Sequence, residues 1–261
     1  MSSRAEQTTM PGPKSLWLVR HGESAGNVAR DHAEQLGKHT IELTGRDIDV
    51  PLSALGIRQS HALGAWMAGL AGDRKPSVVL TSPFARARQT AELLVESSGL
   101  RSQRLAFVAD ERLREKEFGS LNRFTKLGIT AKFPHEAALR AEVGKFYYRP
   151  PGGESWCDVL LRLRSVLDHI QLHYAGERVL VVAHQVIVLC FRYLLEELDE
   201  ARILAIDAEK DVANCSLTSY ELGIASDGRS KLLLQAYNFV APLEQAGEPV
   251  TREPDVAAAK S

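Results

Sequence analysis

Short apolar runs recur along this chain, and each ends abruptly in polar residues. Leu16-Trp17-Leu18-Val19 gives way to Arg20-His21-Gly22-Glu23-Ser24. Four consecutive apolar residues followed by a turn signal predict a buried parallel strand. Val78-Val79-Leu80 and Val179-Leu180-Val181-Val182-Ala183 repeat the design, ending at Thr81-Ser82-Pro83 and at His184. Leu105 to Val108 reads as a third short strand, and the stretches 214–220 and 231–239 as late strands.

The intervening stretches change period. Leu63, Trp66 and Leu70 recur at helical spacing after Ser53, a helix N-cap type. Val159, Leu163, Val166, Leu167 and Ile170 do the same between Ser155 and Tyr174. A further helix is expected from Ser24 to about His32, then irregular chain over 33–52. Strands alternating with helices predict an α/β fold: a three-layer α/β/α sandwich around a mostly parallel sheet. The expected domain spans 15–243, with an insertion at 120–150 acting as a lid. Residues 1–14 are expected to be a disordered lead, and 244–261, rich in Ala, Glu and Pro, a mobile tail.

Composition narrows the partners. The chain has 261 residues, a formal net charge of -1 and 25% charged residues. No global basic field exists for nucleic acid, so attraction for an anion must be local. No run approaches the length of a membrane span, and no membrane partner is expected. Cys157, Cys190 and Cys215 form an odd, sparse set without a Cys-x-x-Cys pair, which suggests a reducing compartment and a cytoplasmic location. His169 and His173 are i,i+4 neighbours without an apparent third ligand, and a solvated face is the simpler reading.

The candidate chemistry gathers at the strand tips. Ligands of open α/β sheets bind outside the carboxyl ends of the strands. There an arginine (Arg20), an imidazole (His21), a glycine (Gly22) and a helix N-terminus capped by Ser24 describe an anion site holding a possible nucleophile. His184 repeats His21 at a second strand tip, and Arg86 lies one turn into the helix after Pro83. The run Asp110 to Glu117 offers Glu111, Glu115 and Glu117, which composition alone does not separate. The lid is locally basic and aromatic, with Lys145, Tyr148 and Arg149 near its end, which suits a specificity element for a phosphorylated ligand.

Arg20-His21-Gly22-Glu23 with Asn27, the Arg86 segment, Leu113-x-Glu115-x-x-Phe118-Gly119 and His184 together resemble the histidine phosphatase, or phosphoglycerate-mutase-like, superfamily. The resemblance implies that His21 is the nucleophile. It implies that Arg20, Asn27, Arg86 and His184 bind the phosphoryl group. It gives the role of proton donor to Glu115, with Glu117 as second choice. Thr44 and Gly45 resemble the loop that faces the substrate, alongside Ser24. Gln185 after His184 differs from the Asp of the acid phosphatase and phytase branch. Pro151-Gly152-Gly153-Glu154-Ser155 and His184-Gln185 look most like the fructose-2,6-bisphosphatase branch, whose sugar-phosphate positions match Lys145 and Gln185. An arginine expected at Leu189 is missing. The implied activity is hydrolysis of a small phosphorylated metabolite, with no cofactor and no metal. Alternatives are a mutase or a non-catalytic phospho-ligand module. Oligomeric state stays open, a homodimer being one option.

Overall fold

The computed structural model describes residues 12–100 and 105–253. Among these, six strands form one sheet in the order β3-β2-β4-β1-β5-β6. They are β1 (Ser15–Arg20), β2 (Val78–Thr81), β3 (Ala106–Ala109), β4 (Arg178–Ala183), β5 (Leu217–Ile224) and β6 (Ser230–Phe239). β1, β2, β3 and β4 run parallel, while β5 and β6 add an antiparallel edge beside β1.

The alternation of side chains along β1 and β4 divides the core between the two faces. Leu16, Leu18, Val179 and Val181 pack on one side against helices α6 (Trp156–His173) and α7 (Gln185–Leu195). Trp17, Val19, Leu180 and Val182 pack on the other against α2 (Ala54–Ala68) and α3 (Ala85–Ser97). The result is the expected α/β/α sandwich. The apolar side chains buried on α2 are Leu63 and Met67, with Trp66, and Leu70 just past its end, at the margin of the cluster. On α6 they are Trp156, Val159, Leu160, Leu163, Val166 and Ile170, with Leu167 partly buried.

β1 and β4 are neighbours, yet α7, which follows β4, packs on one face of the sheet and α2, the second helix after β1, on the other. This opens a crevice at their carboxyl ends. α1 (Ala25–Gln35) leads out of β1, and α7 out of β4. The insertion forms α4 (Lys126–Lys132) and α5 (Pro134–Val143), around a small core of Phe118, Leu121, Ile129 and Tyr148. α8 (Glu200–Glu209) was not expected from the sequence. β3 differs too. Its apolar residues are exposed, because it is an edge strand covered on neither face.

The expected mobile tail needs correction. α9 (Ala241–Gln245) runs across the expected boundary at 243, and residues 248–253 form a packed strap over the strand tips. The rest of that tail, 254–261, lies outside the described residues, as does most of the expected lead.

Candidate functional site

Register places the two histidines together. Arg20 pairs with Ala183 across β1 and β4, so His21 and His184 stand opposite each other one residue beyond. The His21 N–H donates to the Ala183 carbonyl at 2.9 Å. By strand alternation both side chains lean to the same face. Their rings meet edge to face, 5.1 Å apart. Both residues are fully buried.

The ring of His21 is fixed by its own loop. Its Nδ1 lies 2.7 Å from the Gly22 carbonyl oxygen. A carbonyl only accepts, so Nδ1 carries the proton and a neutral ring has its lone pair on Nε2. Asn214 Nδ2 donates to the His21 carbonyl at 3.0 Å, and the Cys215 N–H donates to that of Arg20 at 3.0 Å. The Gly22 N–H donates to Thr90 Oγ1 at 3.0 Å. Gly22 itself is required by proximity: a Cβ there would stand 2.6 Å from the Gly56 carbonyl oxygen at the start of α2.

Arg20 is fully buried and donates to the carbonyls of Val212 and Glu253. Ser24 caps α1 in a reciprocal box. Its hydroxyl accepts from the Asn27 N–H, while Asn27 Oδ1 accepts from the Ser24 N–H at 2.9 Å. The box orients the Asn27 amide, whose Nδ2 then donates to the Glu253 carbonyl at 3.3 Å. One main-chain oxygen of the strap thus engages Arg20 and Asn27 together. Arg86 is 3% exposed and lies over the Phe84 ring. Its guanidinium donates to the Asp47 carbonyl at 3.0 Å and pairs with the Asp47 carboxylate at 3.2 Å. His184 Nε2 lies 2.8 Å from Ser82 Oγ, at the tip of β2.

Burial separates the three acids that composition did not. Glu111 and Glu117 are exposed, and Glu115 is buried. Glu115 Oε1 accepts from the Lys116 N–H at 2.7 Å, and Glu117 Oε1 accepts from the Gly119 N–H. Glu115 lies in the loop that leaves the carboxyl end of β3, just after a 3-10 turn at Glu111–Leu113. Arg162 braces this loop, donating to the carbonyls of Arg112 and Glu115. Glu154 holds Arg162 in turn. Burial raises the Glu154 carboxyl, but Arg162, the Glu117 N–H and Arg114 together bring it below the usual carboxylate range. Lys116 is buried with its ammonium 4.1 Å from the Phe118 ring centre. Burial, aided by the charge of Arg140, pushes its pKa down to about 8.

The remaining candidates lie at varied distances from this centre. Gln185 opens α7 and donates to Asp211 Oδ1 at 2.8 Å. Lys145 pairs with Asp207, and burial lowers its pKa. Tyr148 is buried in the lid core and donates to Glu136 at 2.7 Å, with burial the main cause that raises its phenol. Arg149 faces outward and pairs with Asp158 on α6. Thr44 and Gly45 are exposed, and the Gly45 carbonyl accepts from Arg123. Their loop reaches the site through Asp47 instead. Asp47, Ser82, Thr90, Asn214 and Thr251 were not singled out in the sequence. Ser82 alone carried a local signal, as a hydroxyl at a strand tip. Among the described residues, no group of three or more His, Cys, Asp or Glu side chains is placed to hold a metal ion. No helix there is long and apolar enough to cross a membrane.

What the arrangement offers is an imidazole held through Nδ1 by a main-chain carbonyl, a second imidazole against it, and two buried guanidinium groups near a helix N-terminus. Such a set suits a tetrahedral oxyanion. Comparison with known proteins agrees. The family described as histidine phosphatase superfamily (branch 1) matches residues 16–234. A probable fructose-2,6-bisphosphatase of Schizosaccharomyces pombe is 36% identical over 177 residues, 68% of this chain but 37% of that protein. This chain thus spans little more than a third of that relative. A 2,3-bisphosphoglycerate-dependent phosphoglycerate mutase of Azorhizobium caulinodans is 31% identical over 80% of this chain and 92% of its own length. The fold is similar to that of a mycobacterial glucosyl-3-phosphoglycerate phosphatase solved with inorganic phosphate: TM-score 0.64, 26% identity, 88% of this chain and 99% of that one.

Proposed function

The chain belongs to branch 1 of the histidine phosphatase superfamily, and we propose that it hydrolyses a small phosphate monoester through a phosphohistidine on His21. The observation that carries this reading is the Nδ1 contact to the Gly22 carbonyl, which leaves the nucleophilic lone pair on Nε2. In the first step Nε2 attacks phosphorus, the bond to the leaving oxygen breaks, and Glu115 gives that oxygen its proton. In the second, water attacks the phosphohistidine, its proton passes to Glu115, and the P–N bond breaks to release phosphate and restore His21. Arg20, Arg86, His184 and the Asn27 amide neutralise the phosphoryl oxygens, which is most of what phosphoryl transfer asks of a protein. Cysteine and serine nucleophiles are not needed. The lid, which carries Lys145, Tyr148 and Arg149, and Gln185 at the start of α7 set the substrate, a sugar phosphate or a phosphoglycerate-like ester.

Likeness to a phosphoglycerate mutase over most of the chain supports a second reading, in which the phosphohistidine returns its phosphoryl group to a bound acid. Two assays decide. Turnover of p-nitrophenyl phosphate and of sugar phosphates is expected for the native chain and lost in His21→Ala; equal rates for both proteins contradict the proposal. Isomerisation of 3-phosphoglycerate, with and without bisphosphoglycerate, is expected to be slower than hydrolysis. The reverse ranking favours the mutase.

A further inference from the structure

The strap at 248–253 does more than lie across the site. Thr251 sits where two branches of a hydrogen-bond network meet. Its hydroxyl donates to Asn214 Oδ1 at 3.0 Å, and Asn214 Nδ2 donates to the His21 carbonyl. The same hydroxyl accepts from Gln59 Nε2 at 3.1 Å, and Gln59 Oε1 accepts from the Glu23 N–H at 2.9 Å. The main chain repeats the link, with the Asn214 N–H donating to the Thr251 carbonyl at 2.9 Å and Gln59 Nε2 also reaching the Pro249 carbonyl. Gln59 and Asn214 are fully buried.

A hydroxyl has one proton and two lone pairs, so a single threonine can serve both branches at once. One branch fixes the amide of Asn214, the other that of Gln59. The His21 and Pro249 carbonyls, which only accept, and the Glu23 N–H, which only donates, set which end of each amide points at the nucleophile loop, and the Thr251 hydroxyl holds both amides there by donating to one and accepting from the other. With Asn214 turned over, an amide oxygen would face the His21 carbonyl oxygen.

We propose that Thr251 is a positioning residue: through Asn214 and Gln59 it clamps the loop 21–23 from both ends and so aims the His21 ring. This rests on the phosphohistidine reading above. The segment beyond α9 is accordingly part of the active centre. Its role is separable from the Glu253 carbonyl, which lies two residues on and meets Arg20 and Asn27.

The test is rapid-quench phosphorylation of the full chain by p-nitrophenyl phosphate, with His21→Ala as control. Thr251→Val keeps the shape and loses the hydroxyl. Its phosphorylation rate is expected to fall about tenfold, two hydrogen bonds each contributing roughly threefold, while KM stays within about threefold of the native value. Thr251→Ser, which keeps the hydroxyl, is expected to recover most of the rate. Asn214→Asp removes the donor to the His21 carbonyl and is expected to slow phosphorylation at least as much, which keeps the test decisive if the valine variant does not fold. Native rates in Thr251→Val, or in Asn214→Asp, overturn the inference, as does a serine variant as slow as valine. If His21→Ala is itself phosphorylated and active, the underlying reading fails; if it is dead while Thr251→Val is normal, only this inference fails.

Discussion

Lys116 offers a test in which the sign and size follow from one buried charge. It adjoins Glu115, it is 5% exposed, and its ammonium faces the Phe118 ring. Burial lowers its pKa from an ordinary 10.5 to about 8. The folded state therefore disfavours the charged form. Below pH 8 the lysine is charged in both states, and folding bears the full cost. At about 1.36 kcal/mol per decade, that cost is about 3 kcal/mol. Between pH 8 and 10.5 the unfolded chain binds more protons than the folded one, so stability rises with pH through this window. Lys116→Met removes the charge while keeping an apolar chain of similar length. Urea unfolding of the native and methionine proteins at pH 7 and pH 9.5 isolates the effect, because other titrations cancel in the difference. The variant should be the more stable at pH 7, and its advantage should shrink by about 2 kcal/mol at pH 9.5. An advantage that stays the same at both pH values would refute the buried-charge account.

Three further outcomes are expected. Glu115→Gln should lower kcat/KM for an alkyl phosphate about 10²–10⁴-fold, and far less for p-nitrophenyl phosphate, whose leaving group needs no proton; Glu117→Gln should leave both values near native, and the reverse pattern would move the acid to Glu117. Gly56→Ala would place a Cβ 2.0 Å from the Glu23 carbonyl oxygen, backbone against backbone. It should cost about 1–3 kcal/mol or more in urea unfolding and impair turnover; a neutral effect would mean that the loop tolerates displacement. Ser82→Ala removes the 2.8 Å partner of His184 Nε2 and should lower kcat about tenfold in protein shown to be folded, at a cost of about 1–3 kcal/mol in stability; a native kcat would mean that the contact does not position His184.

The legible part of this protein is what a local pattern can encode. An apolar run that stops at a basic or imidazole residue locates β1, β4 and the crevice between them. The parallel register of β1 on β4, which turns both side chains to the same face, then explains why His21 and His184 meet. Periodicity likewise located α2 and α6, and Pro83 marked the start of α3. The acidic run was legible only as a resemblance, since burial of Glu115 and exposure of Glu117 depend on how the loop after β3 folds back on α6. Asp47, Asn214 and Thr251 were not legible at all. Each acts on a residue far away in the chain, 39 positions for Asp47 and Arg86 and 193 for Asn214 and His21. No short window holds such a pair. The strap shows the same limit from the other side. Glu248-Pro249-Val250-Thr251 is too polar to announce a packed segment, and hydrogen bonds to Gln59 and Asn214, more than apolar burial, hold it in place. The exposed β3 reverses the case, an apolar stretch whose burial the edge position does not provide.

The most direct measurement of the central claim is the identity of the phosphorylated residue. Quenching the enzyme during turnover of p-nitrophenyl phosphate, digesting it at alkaline pH and sequencing the phosphopeptide by mass spectrometry should place an acid-labile phosphate on His21 Nε2, and none in His21→Ala. Steady turnover with no phosphate on the protein, or with phosphate on His184 or another side chain, would contradict the account.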